Sequence, residues 1–254
     1  MRFQDRVVIV TGAASGFGAA IAKQFGAEGA KVLVADVAEA KGAEVVSAIA
    51  GAGGQALFVR VDVSKAADVK AMVDTAVSKL GGLDVLVNNA GLSHPMMPLW
   101  DLPEEDYDRV FSINTKGVFL GCKYAVPVMR ERGGGVIVNT ASIGAVSPRP
   151  GVTPYNASKG AVVTMTRGLA VEVAPLKIRV NAVNPVASET GFIKTAIGLD
   201  TLTDDMRSAL ASTIPLGRLA VPTDVANAVL FLASDAASFL TGVCLDVDGG
   251  RSIS

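Results

Sequence analysis

At 254 residues, half of them hydrophobic, the chain holds ample apolar material for a large core, and one α/β domain spanning 1–254 is expected. Its 23 basic and 24 acidic residues nearly cancel to a net charge of −1, with no basic run to track a phosphate backbone, so nucleic acid is excluded as a partner. No apolar stretch reaches the roughly 18–20 residues of a membrane span, and the first residues lead straight into a strand-like run, so a soluble, cytoplasmic protein is expected.

The first apolar, β-branched run, 7–10, reads as a strand. Directly after it, Thr11-Gly12-Ala13-Ala14-Ser15-Gly16-Phe17-Gly18 makes a glycine-rich turn that opens a helical pattern over 16–29. Backbone N–H groups and the helix dipole at such a junction suit a pyrophosphate, which makes Gly12, Ser15, Gly16, Phe17 and Gly18 candidate dinucleotide contacts. The second strand, 32–35, runs into Asp36, eighteen residues beyond Gly18, where a carboxylate can accept the hydroxyls of an adenosine ribose. A 2′-phosphate would be repelled there, and no lysine or arginine lies between 35 and 39, so NAD is expected over NADP. A helix N-cap role for Asp36 is compatible with that reading.

A helix over 38–50 and a strand at 57–59 lead to Asp62 and Val63, placed to meet an adenine edge. After a helical segment at 65–80 and a strand at 85–87 comes Asn88-Asn89-Ala90-Gly91; Asn89, Ala90 and Gly91 fall at the carboxyl edge of the sheet, where open α/β sheets bind ligands. Those residues are also good turn formers. His94 reads as a structural or surface histidine, with a place in the substrate pocket as the alternative. Met96, Met97, Leu99 and Trp100 form an apolar loop that either meets substrate or packs against protein.

Pro103 followed by Glu104 and Glu105 starts a helical pattern over 104–131 that includes Asn114. A strand at 136–138 precedes Ser142 and Arg149, and a helical pattern covers 154–174. In that segment Tyr155 and Lys159 lie four residues apart, on one helix face, which sets an ammonium beside a phenol. A free tyrosine titrates near about 10, and a neighbouring positive charge lowers that value toward the range useful for acid/base work. A solvated helix face is the plainer reading of such a pair. The sixth strand, 178–180, is followed by a stretch, 186–214, with no strand of its own, read as a substrate lid or a surface excursion. A helix at 222–234 and a strand at 243–245 complete the pattern. Seven apolar strands alternating with helices predict a doubly wound, parallel, Rossmann-type sheet. With one histidine, and with Cys122 and Cys244 far apart, neither a metal site nor a disulfide framework is expected.

Taken together, residues 11–18, 88–91, Ser142, Tyr155 and Lys159 resemble the short-chain dehydrogenase/reductase family in order and spacing over essentially the full chain. The resemblance implies a single Rossmann domain, a nicotinamide cofactor, a homotetramer built partly by helices 104–131 and 154–174, and a catalytic tetrad of Asn114, Ser142, Tyr155 and Lys159. In that scheme Tyr155 is the general acid/base, Lys159 lowers its pKa and binds the nicotinamide ribose, Ser142 holds the substrate oxygen, and Asn114 anchors a water. The resemblance also implies cofactor contacts from Pro185, Ser188 and Thr190. The chain departs from the family at Val186, where glycine is usual and where valine resists positive φ. The function implied is interconversion of a secondary alcohol and a ketone with NAD; the alternatives are an NADPH-dependent 3-oxoacyl-thioester reductase and a non-catalytic dinucleotide-binding scaffold.

Overall fold

The computed structural model describes residues 1–186, 188, 198 and 201–254. Seven strands, β1 (Val7–Thr11), β2 (Lys31–Asp36), β3 (Gln55–Arg60), β4 (Val85–Asn88), β5 (Gly135–Thr140), β6 (Ile178–Pro185) and β7 (Cys244–Val247), form one parallel sheet in the order β3-β2-β1-β4-β5-β6-β7. Every predicted strand is present, and the order reverses between β1 and β4, the switch point at which a doubly wound sheet opens a crevice.

Burial explains why the strands read as continuous apolar runs. In β1, Val7 and Ile9 join one core cluster while Val8 and Val10 join the other; in β2, Leu33 and Ala35 divide from Val32 and Val34 in the same way. One face is covered by α3 (Ala66–Thr75), α5 (Gly117–Glu131) and α6 (Thr153–Val173), the other by α1 (Gly16–Ala27), α2 (Glu39–Gly51) and α8 (Pro222–Ala233). With water excluded from both faces, polar alternation has no place. Truncating a side chain such as Ile9 to alanine would cost about 2–5 kcal/mol.

The helix predicted over 104–131 is interrupted. It comprises α4 (Glu104–Phe111) and α5 joined by a π-helical turn, Ser112–Lys116, and a second such turn, Ala76–Leu80, extends α3. A π turn inserts an extra residue into a helix and is frequent at functional sites; here it carries Asn114, which is fully buried. Much of the predicted lid at 186–214 lies outside the described residues; within it, α7 (Asp204–Ala211) is capped by Thr203, whose hydroxyl accepts from the Met206 N–H. No helix among the described residues is long and apolar enough to cross a membrane.

Candidate active site

A cavity of about 430 Å³ runs along the carboxyl ends of the strands, from Asp36 and Asp62 after β2 and β3 to Tyr155 and Pro185 beyond β5 and β6. At the switch point the turn after β1 is held from the β4 side. The Asn89 side-chain amide donates to the carbonyls of Thr11 (2.9 Å) and Gly12 (3.3 Å), while the Thr11 hydroxyl accepts from the N–H groups of Asn89 (3.0 Å) and Ala90 (3.1 Å). Gly12 has φ +63°, and a Cβ there would sit 2.8 Å from the Ala90 Cα; a Cβ on Gly18 would overlap the Gly12 carbonyl. The turn therefore requires glycine at both positions.

Asp36 ends β2 with each carboxylate oxygen accepting one backbone N–H, from Ala14 at 2.9 Å and Ala38 at 3.0 Å. That closes the glycine turn onto β2 and leaves about two lone pairs of the carboxylate for the cavity it borders. Asp62 accepts from the hydroxyl (2.7 Å) and N–H (3.1 Å) of Ser64, and the hydroxyl bond chiefly holds its carboxyl below the usual value.

At the other end, Ser142 follows β5 in extended backbone, its hydroxyl accepting from the Gly144 N–H at 3.0 Å. Tyr155, in the first turn of α6, is 9 % exposed and shares a hydrogen bond with Ser142. Burial pushes its phenol above the ordinary value, and the Ser142 hydrogen bond and then the Arg149 charge pull it back. The expected depression by Lys159 is not found. Its ammonium stands 6.0 Å from the tyrosine ring centre, donates to the Thr140 carbonyl at 2.8 Å, and is buried, which lowers its own pKa to about 8. Asn114 stands behind this pair: its carbonyl oxygen accepts from the Leu92 N–H (2.9 Å), and its amide donates to the Leu92 carbonyl (2.9 Å) and the Ser158 hydroxyl (3.0 Å). Gly91 lies between Asn114 and Lys159; a Cβ there would come 3.1 Å from the lysine nitrogen and 3.3 Å from the asparagine oxygen.

The cavity thus gathers Gly12, Ser15, Gly16, Phe17, Asp36, Asp62, Val63, Asn89, Ala90, Gly91, Ser142, Tyr155, Lys159, Pro185 and Ser188. Gly18 and Asn114 do not border it and act from behind, by close packing and by hydrogen bonding. Thr190 lies outside the described residues. Val186 meets no strain, since Asp5 and Lys177 are the non-glycine residues with positive φ among those described. Its N–H donates to the Val247 carbonyl (3.2 Å), continuing the β6–β7 ladder, and its side chain packs with Ile143, Ile214 and Ala220. His94 is buried away from the cavity lining, its Nδ1 2.8 Å from the Pro95 carbonyl oxygen. Sequence reasoning gave no role of their own to Thr11, Thr140 and Ser158. Thr140 acts through its main-chain carbonyl, which no residue type announces; Thr11 and Ser158 are recognisable only once their partners are in place.

The residues fit a nicotinamide dinucleotide: a glycine cradle for phosphates, a carboxylate with spare acceptors, a lysine with two N–H donors to spare, and a Ser188 hydroxyl that borders the cavity, buried and without a hydrogen-bond partner. Residues 12–252 match the family described as enoyl-(acyl carrier protein) reductase. The chain is 50% identical to 4-formylbenzenesulfonate dehydrogenase of Comamonas testosteroni, covering 100% of both chains. It is 44% identical to cis-4-hydroxycyclohexanecarboxylate dehydrogenase of Sinomonas cyclohexanicum, covering 98% of this chain and 97% of the other. The crystal structure of a 3-ketoacyl-(acyl-carrier-protein) reductase from Brucella melitensis, complexed with NADH, is 45% identical and superposes with a TM-score of 0.92 over 99% of this chain and 100% of that one. The chain belongs to the short-chain dehydrogenase/reductase family. It is an oxidoreductase of that family, of the kind that acts on the CH–OH group of donors.

Proposed function

We propose that the protein interconverts a secondary alcohol and a ketone with NAD(H), with Tyr155 as general acid/base. The observation that carries this reading is the hydrogen bond between Tyr155 and Ser142 inside the cavity that also holds Lys159, Asp36 and the glycine turn. In the oxidative direction the phenolate of Tyr155 takes the carbinol proton while the Ser142 hydroxyl orients the same oxygen; in reduction Tyr155 returns that proton. The nicotinamide, when bound, supplies the hydride acceptor or donor. Lys159, with one N–H on Thr140 and a pKa near 8, has two N–H donors for the nicotinamide ribose and exchanges a proton readily near neutrality. Asn114 holds the Leu92 backbone and, through Ser158, the α6 turn that carries Tyr155. Asp36, acceptor-only and facing the adenosine end, supports NAD over NADP, and Ser188 and Thr190 are taken as cofactor contacts.

A second reading, a 3-oxoacyl-thioester reductase, is favoured by the name of the Brucella relative. That relative is complexed with NADH, so cofactor choice alone does not separate the two readings. The deciding assay follows nicotinamide absorbance with NAD(H) and NADP(H), offering cyclohexanol, cis-4-hydroxycyclohexanecarboxylate, 4-formylbenzenesulfonate, a hydroxysteroid and an acetoacetyl thioester. Turnover of a cyclic alcohol with NAD is expected. Activity confined to the thioester with NADPH would install the second reading. Silence with every pair would favour a dinucleotide-binding scaffold.

The reading includes a single dinucleotide-binding domain working in the cytoplasm as a homotetramer. Exposed Tyr107, Phe119 and Val171 on α4, α5 and α6 support burial of those helices between subunits. Mass photometry of the purified protein tests the assembly.

A further inference from the structure

The two ends of the cavity carry opposite charge. The carboxylates among its described lining residues, Asp36 and Asp62, stand at the carboxyl ends of β2 and β3, each already accepting backbone N–H groups. At the end beyond β5 the charged lining residues are Lys159 and Arg149. Lys159 donates to Thr140, and its remaining donors are the ones assigned above to the nicotinamide ribose. Arg149 is different. Its main chain is fixed, because its carbonyl accepts from the Asn156 side-chain amide at 2.8 Å, but its half-buried guanidinium pairs with no carboxylate among the described residues.

The surroundings of Arg149 increase this imbalance. On its far side it shares a small pocket of about 10 Å³ with Arg251, Ser147 and Thr213. That is room for about one water, so of the two pockets that Arg149 borders it is the main cavity that can bring a larger group to it. Burial and, more weakly, the Arg251 charge both push the guanidinium's pKa down, while the Tyr155 phenol, when ionised, pulls it up. Two cations therefore stand together in partly dry surroundings, within electrostatic reach of the phenol and without a counter-ion among the described residues. Such an arrangement is unfavourable until an anion joins it. Arginine is also the side chain whose fork matches a planar carboxylate or a sulfonate.

We propose that Arg149, backed by Arg251, seats the acid group of an anionic substrate whose reacting carbon lies against Tyr155, so that the enzyme selects hydroxy- or oxo-acids over neutral alcohols. This rests on the Tyr155-centred reaction given above. Arg149 is then a specificity-determining residue, and the cavity is divided by charge: the adenosine end excludes a further phosphate, and the reacting end attracts a substrate anion.

The test is isothermal titration calorimetry on the protein saturated with NAD, with cyclohexanecarboxylate and its neutral methyl ester as probes, on the wild type and on Arg149→Gln, Arg149→Lys and Arg251→Gln. The wild type should bind the carboxylate about tenfold to 100-fold more tightly than the ester. Arg149→Gln should abolish that preference, Arg149→Lys should keep part of it, and Arg251→Gln should weaken it less. Equal affinities in the wild type, or a preference that survives Arg149→Gln, would overturn the proposal. The wild-type comparison and Arg149→Lys decide the matter even if Arg149→Gln folds poorly. A parallel turnover assay with cis-4-hydroxycyclohexanecarboxylate keeps the two levels apart: a carboxylate preference without turnover supports the Arg149 site and counts against the reaction proposed above.

Discussion

The adenosine end and the reacting end of the cavity are built by different means. Around Gly12, Asp36 and Asn89 the work is done by backbone groups and short hydrogen bonds at strand ends, and the one charge facing the cavity from β2 is a half-buried carboxylate tied to Ala14 and Ala38. Around Ser142, Tyr155 and Lys159 it is done by side chains withdrawn from water, where the same burial that positions them shifts their protonation. Recognition of a constant ligand tolerates solvent; proton transfer needs groups held where desolvation and one or two neighbours set the pKa.

The largest effect expected to break this contrast is from Tyr155→Phe. The ring's volume is kept and the Gly144 N–H keeps its Ser142 acceptor, so folding should be intact while kcat falls about 10²–10⁴-fold. NADH affinity, read by fluorescence titration, should change less than about threefold, since the hydroxyl serves chemistry. Loss of cofactor binding equal to the loss of turnover would remove the distinction between the two ends.

Asp36→Ala probes the opposite end. Removing the carboxylate should raise the KM for NAD about tenfold to 100-fold and reduce the preference for NAD over NADP, with a much smaller change in kcat. Steady-state kinetics with both cofactors check this. A kcat loss matching that of Tyr155→Phe would mean that Asp36 supports the reacting groups as well.

The smallest effect sharpens the electrostatic side of the contrast. Lys159 titrates near 8 in the fold against an ordinary 10.5, so between those values the unfolded chain binds the proton more tightly. Stability therefore rises with pH across that window, because the penalty for burying the charge is present below about 8 and is relieved as the amine loses its proton. Urea midpoints measured from pH 7 to 10 should climb in the wild type relative to Lys159→Met. Parallel curves would place the Lys159 charge in water.

The adenosine end was readable along the chain because its requirements are local. A strand, a turn that needs glycine, a helix start and an acidic residue at the next strand end follow one another in sequence, and Gly12, Gly16 and Asp36 stand where that order puts them. Seven apolar strands alternating with helices likewise announced the parallel sheet. The helix through Asn114 was legible as a helix but not as an interrupted one, since a π turn depends on what the extra residue meets, here Leu92 and Ser158. Val186 stands where a glycine is usual yet is an ordinary continuation of β6, a consequence of its place beside Val247.

The sequence by itself determined the fold class, the glycine turn, the carboxylate at Asp36 and the juxtaposition of Tyr155 with Lys159, because each follows from a period, a spacing or a backbone requirement of a few residues. Only the tertiary structure decided the electrostatics. It buried Lys159 against Thr140, which lowers its own pKa to about 8, set Arg149 within electrostatic reach of the Tyr155 phenol, and brought Arg251 from the far end of the chain beside Arg149. Charge interactions depend on distance and on the water excluded between groups, and neither quantity is written in the order of residues.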